Sequence, residues 1–187
     1  MTPITTKLAN SDEDLLGILE LQRENHLANI SSEIKNTEGF VTVKHTLPIL
    51  RQMNEKAPQV IALDDSGKVV GYALVMVKDF KYLLPVLTPM FEAFEDITYK
   101  NKKLSESNYY VMGQVCVAKT HRGMGVFQSL YSKQKESYSH KYDICLTEVS
   151  SSNPRSIRAH EKVGFKTIHT FKDVTDEWHI IGWDWNH

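Results

Sequence analysis

The stretch Val117-Ala118-Lys119-Thr120-His121-Arg122-Gly123-Met124-Gly125-Val126 brings the end of an apolar strand and the start of a helix within a few residues. The first amides of a helix have no intrahelical acceptor and point outward. With the helix dipole they form a site for an anion. Glycine at 123 and 125 lets a phosphate approach the backbone with no Cβ in the way. The arrangement suits a pyrophosphate; a plain strand-to-helix turn that needs glycine is the alternative. It is not a P-loop, because no Gly-Lys-Ser/Thr follows, nor a dinucleotide fingerprint, because the third glycine is missing.

A second stretch runs Leu146-Thr147-Glu148-Val149-Ser150-Ser151-Ser152-Asn153 and leads into Ile157-Arg158-Ala159-His160-Glu161-Lys162-Val163-Gly164-Phe165. Glu148 ends a buried strand, where desolvation raises a carboxyl's pKa. That makes it the candidate general base; an ion pair or a solvent-facing carboxylate is the alternative. Asn153 stands where a helix cap is needed. His160, His169 and His179 lack metal-ligand spacing, so no metal is expected. Cys116 and Cys145 lie in apolar runs and read as buried free thiols.

Together the two stretches resemble the GNAT superfamily of N-acetyltransferases. Arg122-Gly123-Met124-Gly125-Val126-Phe127 is similar to its coenzyme A motif, Gln/Arg-x-x-Gly-x-Gly/Ala. Glu148, Asn153 and position 160 fall at the spacing of its later motif, Glu-Val-x-x-x-Asn followed by a helix ending Tyr-x-x-x-Gly-Phe. The match covers residues 109–171. The resemblance implies that amides from Gly123, Met124, Gly125, Val126, Phe127 and Gln128 hold the pyrophosphate of acetyl-CoA. It implies that the backbone of Val115, Cys116 and Val117 pairs with the pantetheine arm. It gives Asn153 a second role, bonding the pantetheine amide, and makes Ser156 a further contact. His160 stands where the family has a tyrosine general acid. Histidine can donate a proton near neutral pH; a locally packed helix histidine is the alternative. There are two departures. Lys119 replaces a proline, and Phe127 replaces a small residue, so its ring must turn into the core or lie beside the cofactor.

The activity implied is transfer of an acetyl group from acetyl-CoA to a primary amine, on a small molecule or a protein N-terminus. The alternative is a catalytically weak acyl-CoA-binding module that senses or acts through a partner. A homodimer is a family-based expectation.

The elements that must position these groups follow from periodicity and punctuation. Strands are predicted over 3–9, 59–63, 68–77, 109–118, 142–149, 165–171 and 178–185. Helices are predicted over 12–28, 45–56, 122–139 and 153–162, with residues 83–94 also helical. Residues 31–44 resist assignment, and Lys100 to Ser107 reads as loop. Alternating strands and helices imply an α/β fold: a GNAT-like mixed central sheet of six to seven strands with helices on both faces, residues 1–187 forming one domain. The strands at 109–118 and 142–149 are expected to run parallel. Trp178, Trp183 and Trp185 are expected to pack in the last strands, with a substrate-wall role for one of them as the alternative.

Bulk properties narrow the function. The 187 residues are 41% hydrophobic and 24% charged with a formal net charge of -1. That charge gives no strong field for nucleic acid or anionic lipid. Met1 to Asn10 lacks a signal-peptide core and no apolar run spans a bilayer, so a cytoplasmic protein is expected. The acceptor site is expected to be shaped by the first helices and residues 78–108, where the family varies. Asp79, Glu92, Glu95 and Asp96 there read as a solvated face, with attraction of a cation as the alternative.

Overall fold

A computed structural model describes residues 4–26, 41, 43–82, 85, 88–174 and 176–185. Most of 31–44, the end of the helix predicted to reach 28, and four residues of the 83–94 segment lie outside these. The described residues form an α/β fold with five α-helices and a seven-stranded mixed sheet. The chain groups into two compact units, residues 1–75 with 113–137, and residues 76–112 with 138–187.

The first unit opens with β1 (Thr5–Leu8) and α1 (Asp12–Asn25). Ser11 Oγ accepts the Asp14 N–H at 3.2 Å, and the Asp14 carboxylate accepts the Asn10 N–H at 2.9 Å. This reciprocal cap, with Asp12, Glu13 and Asp14 in the first turn, explains why the helix starts here. Helix α2 (Leu47–Lys56) follows, with proline in its first turn. Strands β2 (Val60–Leu63) and β3 (Val69–Met76) make the expected hairpin. Asp64 Oδ1 accepts the N–H groups of Ser66 and Lys68, and Gly67 takes φ 81°. All eight residues of β3 are buried, as befits a strand in the middle of a sheet.

Strand β6 (Tyr109–Val117) begins in the second unit and ends in the first, where it leads into α4 (Val126–Tyr138). The second unit adds α3 (Thr88–Asp96), β4 (Thr98–Tyr99), β5 (Lys102–Lys103), β7 (Ile144–Ser150), α5 (Pro154–Val163), β8 (Lys166–Lys172) and β9 (Glu177–Asp184). The sheet order is β1-β2-β3-β6-β7-β9-β8. As expected, β6 and β7 are parallel, with Tyr109, Tyr110 and Val111 opposite Ile144, Cys145 and Leu146. Thr147 Oγ1 then donates to Met112 O at 2.9 Å. Antiparallel β9 joins β7 to β8.

Helix α5 stops where glycine was expected to stop it. Gly164 takes φ 123° and its N–H donates to His160 O and Glu161 O. A Cβ there would lie 2.7 Å from Trp183 Nε1. Trp185 is buried against Tyr110, ring centres 5.7 Å apart, and Trp183 meets Trp185 edge-on at 5.5 Å. Trp185 is a core residue, and Trp183 packs half-buried beside it, as their place in the last predicted strand suggested.

The segment Lys100 to Ser107 is not all loop. Strands β4 and β5 form a two-residue hairpin, with Lys100 at φ 49° and Asn101 at φ 64°. Two successive positive φ values make the primed turn that matches strand twist. Lysine is an uncommon choice there, and its amine bonds the Asp184 carboxylate at 2.6 Å. That tertiary anchor has no trace in the local sequence.

Candidate active site

In the first unit, the expected glycine-rich turn from strand to helix forms with one correction. The helix begins at Val126, not at Arg122. Lys119–His121 make a single 3-10 turn, Arg122 is extended, and Gly123 and Gly125 both adopt left-handed φ values of 78° and 81°. Two left-handed residues this close cannot belong to an α-helix. The Ser129 N–H donates to Gly125 O at 3.0 Å, closing the first turn. The amides of Val126, Phe127 and Gln128 therefore stand at the open end of a thirteen-residue helix. A Cβ built on Gly123 or Gly125 meets nothing within 4 Å, so the loop is open beside both glycines. Met124 between them is exposed. An anionic group fits this backbone without displacing a side chain.

The Phe127 ring packs on Tyr131 one turn along the helix, ring centres 5.0 Å apart. Arg122 is committed to the protein: Nε donates to Val117 O at 3.2 Å and a terminal nitrogen to Asn25 Oδ1 at 2.9 Å. Its guanidinium ties the end of β6 to the end of α1 and so shapes the loop. Val115 and Val117 are half-buried and Cys116 is buried. The Cys116 thiol is pushed up to about 12 by burial, so it is a neutral filler. Cys145 is likewise buried, free and pushed up to about 12.

A buried polar network before Val115 escaped the sequence reading. Gln22 Nε2 donates to Gln114 Oε1 at 2.8 Å and lies 2.8 Å from His45 Nδ1; the Tyr72 hydroxyl donates to Gln114 Oε1 at 2.6 Å. These bonds pin β6 from α1 and β3. No local motif marks it in the sequence.

In the second unit, Glu148 sits on β7, half-buried. Its carboxyl is pushed up to about 7, first by burial and second by the negative charge of Asp173. Oε2 is shielded from water with no hydrogen-bond partner among the described residues. A carboxylate that titrates near neutrality and is not locked in an ion pair is a serviceable base. Asn153 caps α5, its Oδ1 accepting the Ser156 N–H at 3.1 Å.

His160 is 1% exposed and packs edge-on against Phe165, ring centres 5.1 Å apart. Its Nδ1 lies 2.8 Å from Ser156 O and 3.3 Å from Ser156 Oγ. The carbonyl can only accept, so Nδ1 carries the hydrogen. Burial pulls its pKa down to about 4, so the ring is neutral at pH 7. A neutral imidazole has no imidazolium proton to give, which weighs against the expected acid role near neutral pH. Asp173, just past the end of β8, carries no motif, and Trp178 stands out in the sequence only as one of three tryptophans of which one could wall a substrate.

With this geometry in view, likeness to known proteins decides the family. The sequence profile of the Acetyltransferase (GNAT) family matches residues 25–165, well over half of the chain. The chain belongs to the GNAT acetyltransferase family. Solved structures share the fold along nearly the whole length. The protein yncA of Salmonella typhimurium, solved with its cofactor acetyl-CoA, is 14% identical with a TM-score of 0.66, covering 100% of this chain and 96% of that one. The ribosomal-protein-S18-alanine N-acetyltransferase of Escherichia coli is 12% identical with a TM-score of 0.64, covering 99% and 96%. The ribosomal-protein-alanine N-acetyltransferase of Brucella melitensis is 18% identical with a TM-score of 0.62, covering 96% and 99%. At such identities the likeness is one of fold. No curated protein matches the chain by sequence. Among the described residues of this GNAT chain, no group of three His, Cys, Asp or Glu could hold a metal, and no helix is long and apolar enough to cross a membrane.

Proposed function

We propose that the chain, acting as one catalytic domain, transfers the acetyl group of acetyl-CoA to a primary amine on a small molecule or a protein N-terminus. The observation that carries this is the glycine-flanked start of α4, which offers open amides to a diphosphate in a chain of the GNAT family. Acetyl-CoA supplies an acetyl group already activated as a thioester. The chain's own groups do the rest. Amides from Gly123 to Gln128 bind the pyrophosphate, and Arg122 holds the loop in shape. The backbone of Val115 to Val117 orients the pantetheine arm. Asn153 and Ser156 order the start of α5 and offer it polar contacts. Glu148 takes the proton that makes the amine a nucleophile.

His160 favours a second reading. Neutral and buried, it lacks the proton that a tyrosine hydroxyl would offer in its place. A protein that binds an acyl-CoA tightly but turns over slowly would be built this way.

Calorimetric titration tests the shared part of both readings. Acetyl-CoA is expected to bind with micromolar affinity, and a pantetheine thioester lacking the diphosphate much more weakly. No heat at millimolar acetyl-CoA would overturn both readings.

A further inference from the structure

The face of the sheet that carries Glu148 also carries an orphaned donor. In the β7–β9 ladder Glu148 lies opposite Ile180 and Ser150 opposite Trp178. Directly opposed side chains share a face, and alternate residues along a strand return to it. Glu148, Ser150, Trp178 and Ile180 therefore stand on one face, with Trp178 diagonal to Glu148. A diagonal neighbour is within reach of an aromatic side chain. His179, opposite Val149, points to the other face.

Trp178 Nε1 and Glu148 Oε2 are each shielded from water, and each lacks a hydrogen-bond partner among the described residues. They do not satisfy one another. Nor does Ser150, which lies opposite Trp178 and whose hydroxyl is engaged by the Asp176 carboxylate, nor His169, opposite Ile180 on β8. A buried indole N–H normally finds an acceptor, since leaving it bare costs free energy. One carboxylate oxygen seeking a donor and one N–H seeking an acceptor call for a single molecule carrying both. Its donor end is best a cation, because the Asp173 charge adds to that of Glu148.

We propose that Trp178 is a specificity residue for the acceptor. Its Nε1–H donates to a carbonyl beside the amine that Glu148 receives. The preferred acceptor class is then an α-amine followed by an amide carbonyl, as at the start of a peptide chain or in a small amino amide. A plain alkylamine or polyamine leaves the indole bare. This rests on the acetyl-transfer reading and names the substrate class of the same site.

The test compares glycinamide and triglycine with isobutylamine, which has the shape of glycinamide without the carbonyl. Thiol release is measured in the wild type and in Trp178→Phe, which keeps an aromatic ring but not the N–H. Basicity differs among the amines, so the informative ratio is between the two proteins. The substitution is expected to raise KM for glycinamide and triglycine about tenfold, leaving kcat and the isobutylamine reaction within twofold. A larger effect on triglycine than on glycinamide points to peptide ends. Independently, the wild-type Trp178 indole N–H resonance is expected to shift with glycinamide and not with isobutylamine. That readout needs neither turnover nor a folded variant. A shift without turnover of any amine supports the subsite and overturns acetyl transfer. Turnover with equal effects on all three amines, or with no indole shift, overturns the subsite and leaves acetyl transfer standing. Neither turnover nor shift overturns both.

Discussion

Replacing Glu148 by Gln is expected to lower turnover by about 10²–10⁴-fold while acetyl-CoA affinity stays within twofold. The substitution keeps the shape and removes the base. Its site is already prepared for a neutral group: the carboxyl is half-buried, one oxygen has no partner among the described residues, and its pKa is pushed up to about 7. The same facts fix an effect on stability. The folded-state pKa is raised, so the protein is favoured while the group is protonated, fully so below its ordinary value. That advantage is lost as pH rises through about 7. At most about 3 kcal/mol is at stake, less after solvent screening. The glutamine amide cannot ionise, so the variant's unfolding midpoint should gain on the wild type between pH 5 and pH 8. Turnover within threefold of wild type would remove Glu148 from the mechanism. Loss of cofactor binding would reassign it to structure.

Gly125→Val is expected to weaken acetyl-CoA binding by tenfold or more. Valine at φ 81° is disfavoured by roughly 1–2 kcal/mol or more, and relief of that strain would re-form the helix start. Its branched side chain would also occupy the open space beside the loop amides. Both consequences fall on the diphosphate. A pantetheine thioester without that group should therefore lose little affinity. Comparing the two ligands by titration separates a damaged anion site from a damaged fold. Equal losses for both would contradict a pyrophosphate role for this loop.

The contrast between these two sites shows what the sequence could carry. Gly123, Gly125 and Gly164 were readable because glycine at a strand–helix junction has few other uses, and all three adopt positive φ. The apolar runs at β6 and β7 were readable for the same local reason. The exact helix start was not, because residue type does not say whether a glycine is helical or left-handed. His160 is a different case. Its spacing suggested a proton donor, but Phe165 and the Ser156 carbonyl make it a buried neutral ring. Trp178 comes beside Glu148 only through a register joining segments some thirty residues apart. No local pattern encodes that pairing. The ion pair of Lys100 with Asp184 likewise joins positions far apart in the chain.

The most direct test of acetyl transfer is thiol release from acetyl-CoA with the wild-type protein and a panel of primary amines at neutral pH. Small-molecule amines, polyamines, amino amides and short peptides would each be offered at millimolar concentration. Amine-dependent release of coenzyme A, with one acetylated amine recovered per thiol, is the expected result. Tight acetyl-CoA binding with no release above the amine-free rate across the panel would contradict it and leave a coenzyme A-binding module in its place.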